Sequence, residues 1–269
     1  MKRWSIMALG LGVLVAGLLG TALAQERGAA ELPPAKLQQA FLEGGRAYDE
    51  GRLKDAMAAY TQLVEQGYDS PALFFNLGNA CFKSGKAGQA VLNYRRARYA
   101  APRDPDTLAN LRFALQSTGA SAPSFPVVVK AFLKLSKAEW IALTTGTYWA
   151  TAAALAWFML ARRRREWASR TAVVFGTLLI VSLAGVGSWW NLDQHPEAVV
   201  LKAGQQALFA PLDGSTPHFA LPPGSIILVT EESGDWVKAE SGKQSGWIRR
   251  SACELVCPWQ NGRNAHNPG

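Results

Sequence analysis

Shifting the sequence against itself by 34 residues lays Gly44 on Gly78, Gly51 on Gly85, Ala56 on Ala90 and Tyr60 on Tyr94, with Phe41 over Phe75 and Tyr48 over Phe82. A chain that repeats at this spacing builds a stack of like supersecondary units, each burying its apolar face against the next. The residues that recur say what the unit is. Gly44, Gly78, Ala56 and Ala90 are small where two helices must approach closely, and Gly51 and Gly85 stand where a helix ends in a left-handed residue. Ser70-Pro71 and Asp104-Pro105 each place an N-cap side chain before a proline at the first helical position, and Pro102 closes the helix before it. The pattern predicts helices at 38–50, 53–66, 71–84 and 87–100. A fifth, at 105–117, carries Leu108, Leu111 and Leu115 on one face and caps the second unit.

Thirty-four residues is the tetratricopeptide period, and the matched residues resemble those repeats. In that architecture the first helix of each repeat lines a concave groove, which two positions seven apart face. Here they are Phe41 and Tyr48, then Phe75 and Phe82, with Gln38, Asn79, Lys83 and Phe113 nearby. The candidate protein-binding residues are therefore Phe41, Tyr48, Phe75, Asn79, Phe82 and Lys83. Repeats that grip a terminal carboxylate use a cluster of Lys, Arg and Asn; by position this chain keeps Asn76, with Phe41, Gly45, Asp106 and Asn110 at the other places. An apolar helix or extended segment suits such a groove better. The competing reading packs the same rings inward, between repeats or against the cap.

Lys2 and Arg3 precede an apolar stretch from Ile6 to Leu19, and Ala22-Leu23-Ala24 supplies a small-x-small site, the pattern of an export signal over 1–24. An uncleaved anchor is the alternative. Farther on, two uncharged apolar stretches, Trp140 to Ala161 and Thr171 to Trp190, flank Arg162 to Arg165. At ~1.5 Å per residue each is long enough for a hydrocarbon core of ~30 Å. Arginines of such a turn stay cytoplasmic, which places both flanking soluble parts outside, in agreement with the export signal. Trp140 and Trp189-Trp190 then lie at the opposite interface. Ala142, Gly146, Ala150 and Ala154 recur every four residues and are expected to pack on the second span. Val127 to Ala138 interleaves apolar residues with Lys130, Lys134 and Lys137, which fits either an interfacial helix or an extension of the first span.

The chain's formal charge is +8. Five of its arginines fall between Arg162 and Arg170, where they set topology, so nucleic-acid binding does not follow. Cys81, Cys253 and Cys257 make neither a disulfide framework nor a metal site; Cys81 reads as a core residue, and Cys253 and Cys257 are either paired or free. The histidines His195, His218 and His266 form no ligand or catalytic spacing, and no phosphate loop or nucleophile elbow occurs. The expectation is a non-enzyme without cofactor or metal.

After Trp190 the pattern changes to short β-branched and aromatic runs. Ala198 to Leu201, Gln206 to Phe209, Ser225 to Thr230, Asp235 to Ala239 and Ser245 to Arg249 are separated by turn residues. Five short strands predict a small barrel. Pro223-Gly224, Gly234-Asp235-Trp236-Val237 and Gly246-Trp247-Ile248 resemble a bacterial SH3-type domain, with Trp236 and Trp247 as its candidate surface and, more simply, its core or rim.

The expected class is a multidomain membrane protein: α-helical tetratricopeptide repeats, a two-helix transmembrane hairpin and a small all-β SH3-like barrel. Its segments are a signal peptide at 1–24, a linker at 25–36, two repeats with a capping helix at 37–118, and a linker and juxtamembrane stretch at 119–138. Spans at 139–161 and 171–190 enclose an arginine-rich turn at 162–170, before an SH3-like domain at 195–258 and a tail at 259–269. That order resembles the BatE family of bacterial aerotolerance (Bat) operons. The most specific stretch is Phe74-Phe75-Asn76-Leu77-Gly78-Asn79-Ala80 with Tyr94, Ala97, Ala101-Pro102-Arg103-Asp104-Pro105 and Asn110-Leu111. The resemblance implies a protein-binding scaffold of the inner membrane with periplasmic soluble domains. Its implied partners are von Willebrand factor A-type membrane proteins and a MoxR-type AAA+ ATPase. A cell-wall (peptidoglycan) binding barrel is the alternative, and a hairpin acting as subunit of a transport or stress machine is a third reading.

Overall fold

In the computed structural model, residues 34–123, 125–160 and 164–257 are described. The expected export signal, most of the linker after it, Arg162, Arg163, His266 and the tail at 259–269 lie outside these residues.

The first five helices follow the repeat closely: α1 (Pro34–Asp49), α2 (Leu53–Glu65), α3 (Pro71–Lys83), α4 (Ala87–Ala100) and α5 (Pro105–Thr118), each packed on the next in the chain. Local chemistry sets their ends. Ser70 Oγ accepts from Leu73 N at 3.1 Å, and Asp104 Oδ2 from Thr107 N at 2.9 Å, each satisfying an amide that the helix start leaves unpaired. Gly51 and Gly85 both turn left-handed, with φ of 75° and 77°. The small positions are filled as the spacing requires. A Cβ on Gly44 would lie 2.6 Å from the Tyr60 ring, and one on Gly78 would lie 2.6 Å from the Tyr94 ring, the same contact one repeat later.

A short helix, α6 (Val127–Phe132), leads to two long ones, α7 (Lys137–Leu160) and α8 (Arg165–Gln194), which pack along one another. Among the described residues one helix, α8, is long and apolar enough to cross a membrane, an 18-residue stretch of it having a mean hydropathy of 1.9. The 24 residues of α7 give it the length, but Thr144, Thr145, Thr147, Thr151, Tyr148 and Trp149 dilute its apolar character. The contact between α7 and α8 also differs from the expected one. Trp140 covers Gly185 and the Thr147 and Ser182 hydroxyls meet at 3.1 Å, whereas Ala142 is exposed and Gly146 has no neighbour where a Cβ would stand. Of the small residues spaced by four, Ala154 is the one that is fully buried.

Seven strands follow: β1 (Glu197–Val200), β2 (Gln205–Leu208), β3 (Pro217–Leu221), β4 (Ile226–Ser233), β5 (Trp236–Ser241), β6 (Gln244–Arg249) and β7 (Cys253–Leu255). They form one open antiparallel sheet in the order β3-β2-β6-β5-β4-β1-β7, instead of the closed five-stranded barrel expected. β3 was masked in the sequence by its prolines: Pro217 opens it and Pro222 ends it, which an edge strand tolerates. β7 has three residues, too few to show alternation. The inner face is made by Ala198, Val200, Ala207, Leu221, Ile227, Val229, Val237, Ala239 and Ile248.

Helices and sheet share a core. Val199, Ile226, Val256 and Cys257 join the cluster formed by Tyr60, Leu77, Val91, Tyr94 and Leu111, so β1 is buried on both faces. Helix α4 accordingly has every residue from Ala90 to Ala97 buried, two arginines included. Arg95 donates through Nε and Nη2 to the two Glu197 oxygens at 2.6 and 2.5 Å. Arg96 donates to the Val256 and Leu255 carbonyls at 2.9 and 3.0 Å and to Glu254 at 2.8 Å. A third cluster, Trp140, Trp189 and Leu192 with Tyr99, Phe132, Leu135 and Leu228, ties the hairpin to both.

Removing one partner of a buried ion pair strands the other charge, so Glu197→Ala is expected to cost about 3–5 kcal/mol. Replacing both, as Arg95→Met with Glu197→Leu, should cost less than either single change. Denaturant melts of the three variants check this; equal stability of wild type and Glu197→Ala overturns it.

Candidate functional site

The four aromatic positions come to one side of α1 and α3, each half-buried and packed against the helical core. Their contacts repeat with the sequence. Phe41 lies 5.7 Å from the Tyr60 ring and Phe75 lies 6.1 Å from the Tyr94 ring, while Phe82 meets Phe113 of α5 at 5.4 Å. Lys83 Nζ sits 4.7 Å over the Tyr48 ring, a cation–π contact that bridges the two repeats. Asn79 Oδ1 accepts from Tyr94 Oη at 2.8 Å and from Asn110 Nδ2 at 2.9 Å, joining α3, α4 and α5. Burial drives the Tyr94 hydroxyl far above its ordinary value, so it remains a donor to Asn79.

The two readings of these rings therefore meet halfway. One edge of each packs into the repeat and the rest faces outward, with Phe113, 60 % exposed, extending the apolar strip onto α5. A half-buried ring is already ordered, so a partner that covers it loses little side-chain freedom. Asn79 and Lys83 make their contacts within the chain, joining neighbouring helices. Of the six candidates, the four rings supply the half-buried apolar side of α1 and α3.

Trp236 and Trp247 stand on adjacent strands in register, where Trp236 opposes Arg249 and Lys238 opposes Trp247. The Arg249 guanidinium lies 4.4 Å over the first indole and Lys238 Nζ 5.8 Å over the second. Both cations are ion-paired in turn, Arg249 with Asp213 and Lys238 with Glu231. The two tryptophans thus stand half-buried on the inner strands β5 and β6, each with a cation over its ring.

Arg95, Arg96, Glu197 and Tyr99 were missed as residues that join helices and sheet. The one available clue was a pair of adjacent arginines directly after a core tyrosine, flanking the apolar stripe of the helix. Near this junction Arg98 is pushed down to about 10 by burial and by the neighbouring Arg95 charge. All three cysteines are unpaired. Burial raises their thiols from 9.0, Cys81 and Cys253 to about 11 and Cys257 to about 12. Among the described residues no group of three or more His, Cys, Asp or Glu is placed to hold a metal ion.

Truncating a half-buried ring leaves a cavity on one side only, so Phe75→Ala and Phe82→Ala are each expected to lower stability by about 1–3 kcal/mol, less than a fully buried phenylalanine. Phe113→Ala should stay within ~0.5 kcal/mol. Thermal melts decide, and a loss at Phe113 equal to that at Phe75 contradicts the assignment. For the thiols, the folded chain keeps protons that the unfolded chain releases above 9.0. Their contribution is thus complete below that pH and is lost as pH rises toward 11–12. Alkylation at pH 8 should modify Cys81 and Cys257 only after unfolding; rapid labelling of the native protein refutes this.

Compared with known protein families and with curated proteins, the chain matches none.

Proposed function

We infer that the chain is a membrane-anchored scaffold whose tetratricopeptide-type groove binds an apolar segment of a partner protein outside the cytoplasm. The observation that carries this reading is the strip of ordered, half-buried rings Phe41, Tyr48, Phe75 and Phe82, continued by exposed Phe113. Aromatic anchors of this kind dominate the energetics of protein interfaces.

The anchor is α7 with α8, read as a transmembrane hairpin. Its outward surface supports this: Ile141, Leu143, Leu155, Met159 and Leu160 on α7 and Val173, Val174, Leu178, Ile180, Val181 and Leu183 on α8 are all exposed. Water-soluble chains rarely leave so continuous an apolar surface uncovered. Arg164 and Arg165 start α8, at the end of the hairpin remote from helices and sheet. Arginines retained on the cytoplasmic side then leave both soluble parts periplasmic. On the resemblance to Bat-type proteins, the partner is a von Willebrand factor A-type membrane protein acting with a MoxR-type ATPase. Cell-wall binding through the sheet is the less favoured alternative, because Arg249 and Lys238 already cover Trp236 and Trp247.

A reporter active only in the periplasm should work when fused after Gly119 or after Trp190 and fail after Arg165; activity at Arg165 overturns the topology. With topology established, a photocrosslinker in place of Phe113 should trap a von Willebrand factor A-type protein. Trapping none, while the isolated chain sediments with purified cell wall, favours the alternative.

A further inference from the structure

Helix α6 does not continue into α7: a turn at 133–136 separates them. Two indoles hold it in place. Trp140 Nε1 donates to the Phe132 carbonyl at 2.8 Å with the rings edge-on at 5.4 Å, and Trp189 Nε1 donates to the Leu135 carbonyl at 3.1 Å. Since Trp140 begins α7 and Trp189 ends α8, α6 lies at the hairpin end away from Arg164 and Arg165.

With Phe132, Leu133 and Leu135 turned into the aromatic cluster, Val127 is 82 % and Val128 65 % exposed. Trp190, 63 % exposed, stands near the same end of α8. The cations there divide into two sets. Arg103 pairs with Glu139 and Lys137 with Asp193, both at 2.5 Å, whereas Lys130 and Lys134 are exposed and have no acidic partner among the described residues. Exposed valines with unpaired lysines, beside the end of an apolar hairpin, form the composition of a segment seated at a membrane surface.

We propose that α6 is a lipid-binding element: Val127 and Val128 enter the headgroup boundary of the outer leaflet, and Lys130 and Lys134 take anionic lipid phosphates. The proposal rests on the hairpin being a membrane anchor, because the occupant is assigned by continuity with the hairpin's apolar surface and by charge. Each lysine near an anionic surface strengthens the contact roughly fivefold.

The test uses the full chain, with Cys253→Ser to limit labelling elsewhere, reconstituted into phosphatidylcholine vesicles with and without phosphatidylglycerol. An environment-sensitive fluorophore is attached at Val128→Cys or, as reference, at Val174→Cys on α8. A headgroup-level lipid quencher should quench the probe at 128, more strongly with phosphatidylglycerol, and Lys130→Gln with Lys134→Gln should remove that dependence. A probe at 128 that stays in water while 174 is quenched by acyl-chain quenchers overturns the proposal and leaves the anchor standing. Water exposure at 174 overturns the anchor, and this proposal with it. Quenching at 128 indifferent to phosphatidylglycerol overturns the phosphate assignment.

Discussion

The bidentate contact between Arg95 and Glu197 decides how the molecule is put together. Two charges withdrawn from water are costly, and their attraction offsets that cost only when the geometry is good and the remaining donors are satisfied. The geometry is good, since the guanidinium meets both carboxylate oxygens, and its neighbour Arg96 is taken up by two carbonyls and Glu254. A mispositioned sheet would leave two buried guanidinium groups without partners. The pair thus acts less as a source of stability than as a penalty on every other docking of helices and sheet. Apolar contacts such as Val91 against Gly224 add area but little discrimination.

This docking resolves a difficulty inherent in a short repeat array. Two helical pairs have too few neighbours to cover both ends and the back of the stack, and tetratricopeptide-type arrays ordinarily gain stability from further units. Here α5 covers one end, and β1 with the residues after β7 covers the back of α4. The second repeat is thus backed by the sheet through α4.

Much of the helical half was legible because its determinants are local. Caps, C-terminal glycines and the sixteen-residue step from Gly44 to Tyr60 and from Gly78 to Tyr94 all act within one repeat. That Phe41, Tyr48, Phe75 and Phe82 share one side of α1 and α3 was legible for the same reason. How deeply they sit was not, because that depends on Tyr60, Tyr94 and Phe113 on neighbouring helices. The sheet was half legible: long alternating runs declared themselves, while a proline-bounded edge strand and a three-residue strand did not. The open form also escaped, since its edges, β3 and β7, are the two strands that the pattern did not reveal. The partners of Arg95 and Glu197 are 102 positions apart, and no local pattern connects them.

The cluster at the hairpin's outer end has a mechanical meaning. Tyr99 of α4 meets the Trp189 ring edge-on at 4.9 Å, and the Trp189 and Trp140 indoles each spend their one donor on a carbonyl just before α7. Tyr99 of α4 and Leu228 of β4 pack into this same cluster, which ties both helices and sheet to the hairpin and limits the swivel that a flexible tether would allow. Anchored in a bilayer, such a chain would behave as a bracket rather than as a kite on a string: the groove would keep one compass bearing and one height above the lipid, and a partner fixed in the same membrane would meet it by diffusing in two dimensions, with orientation already settled.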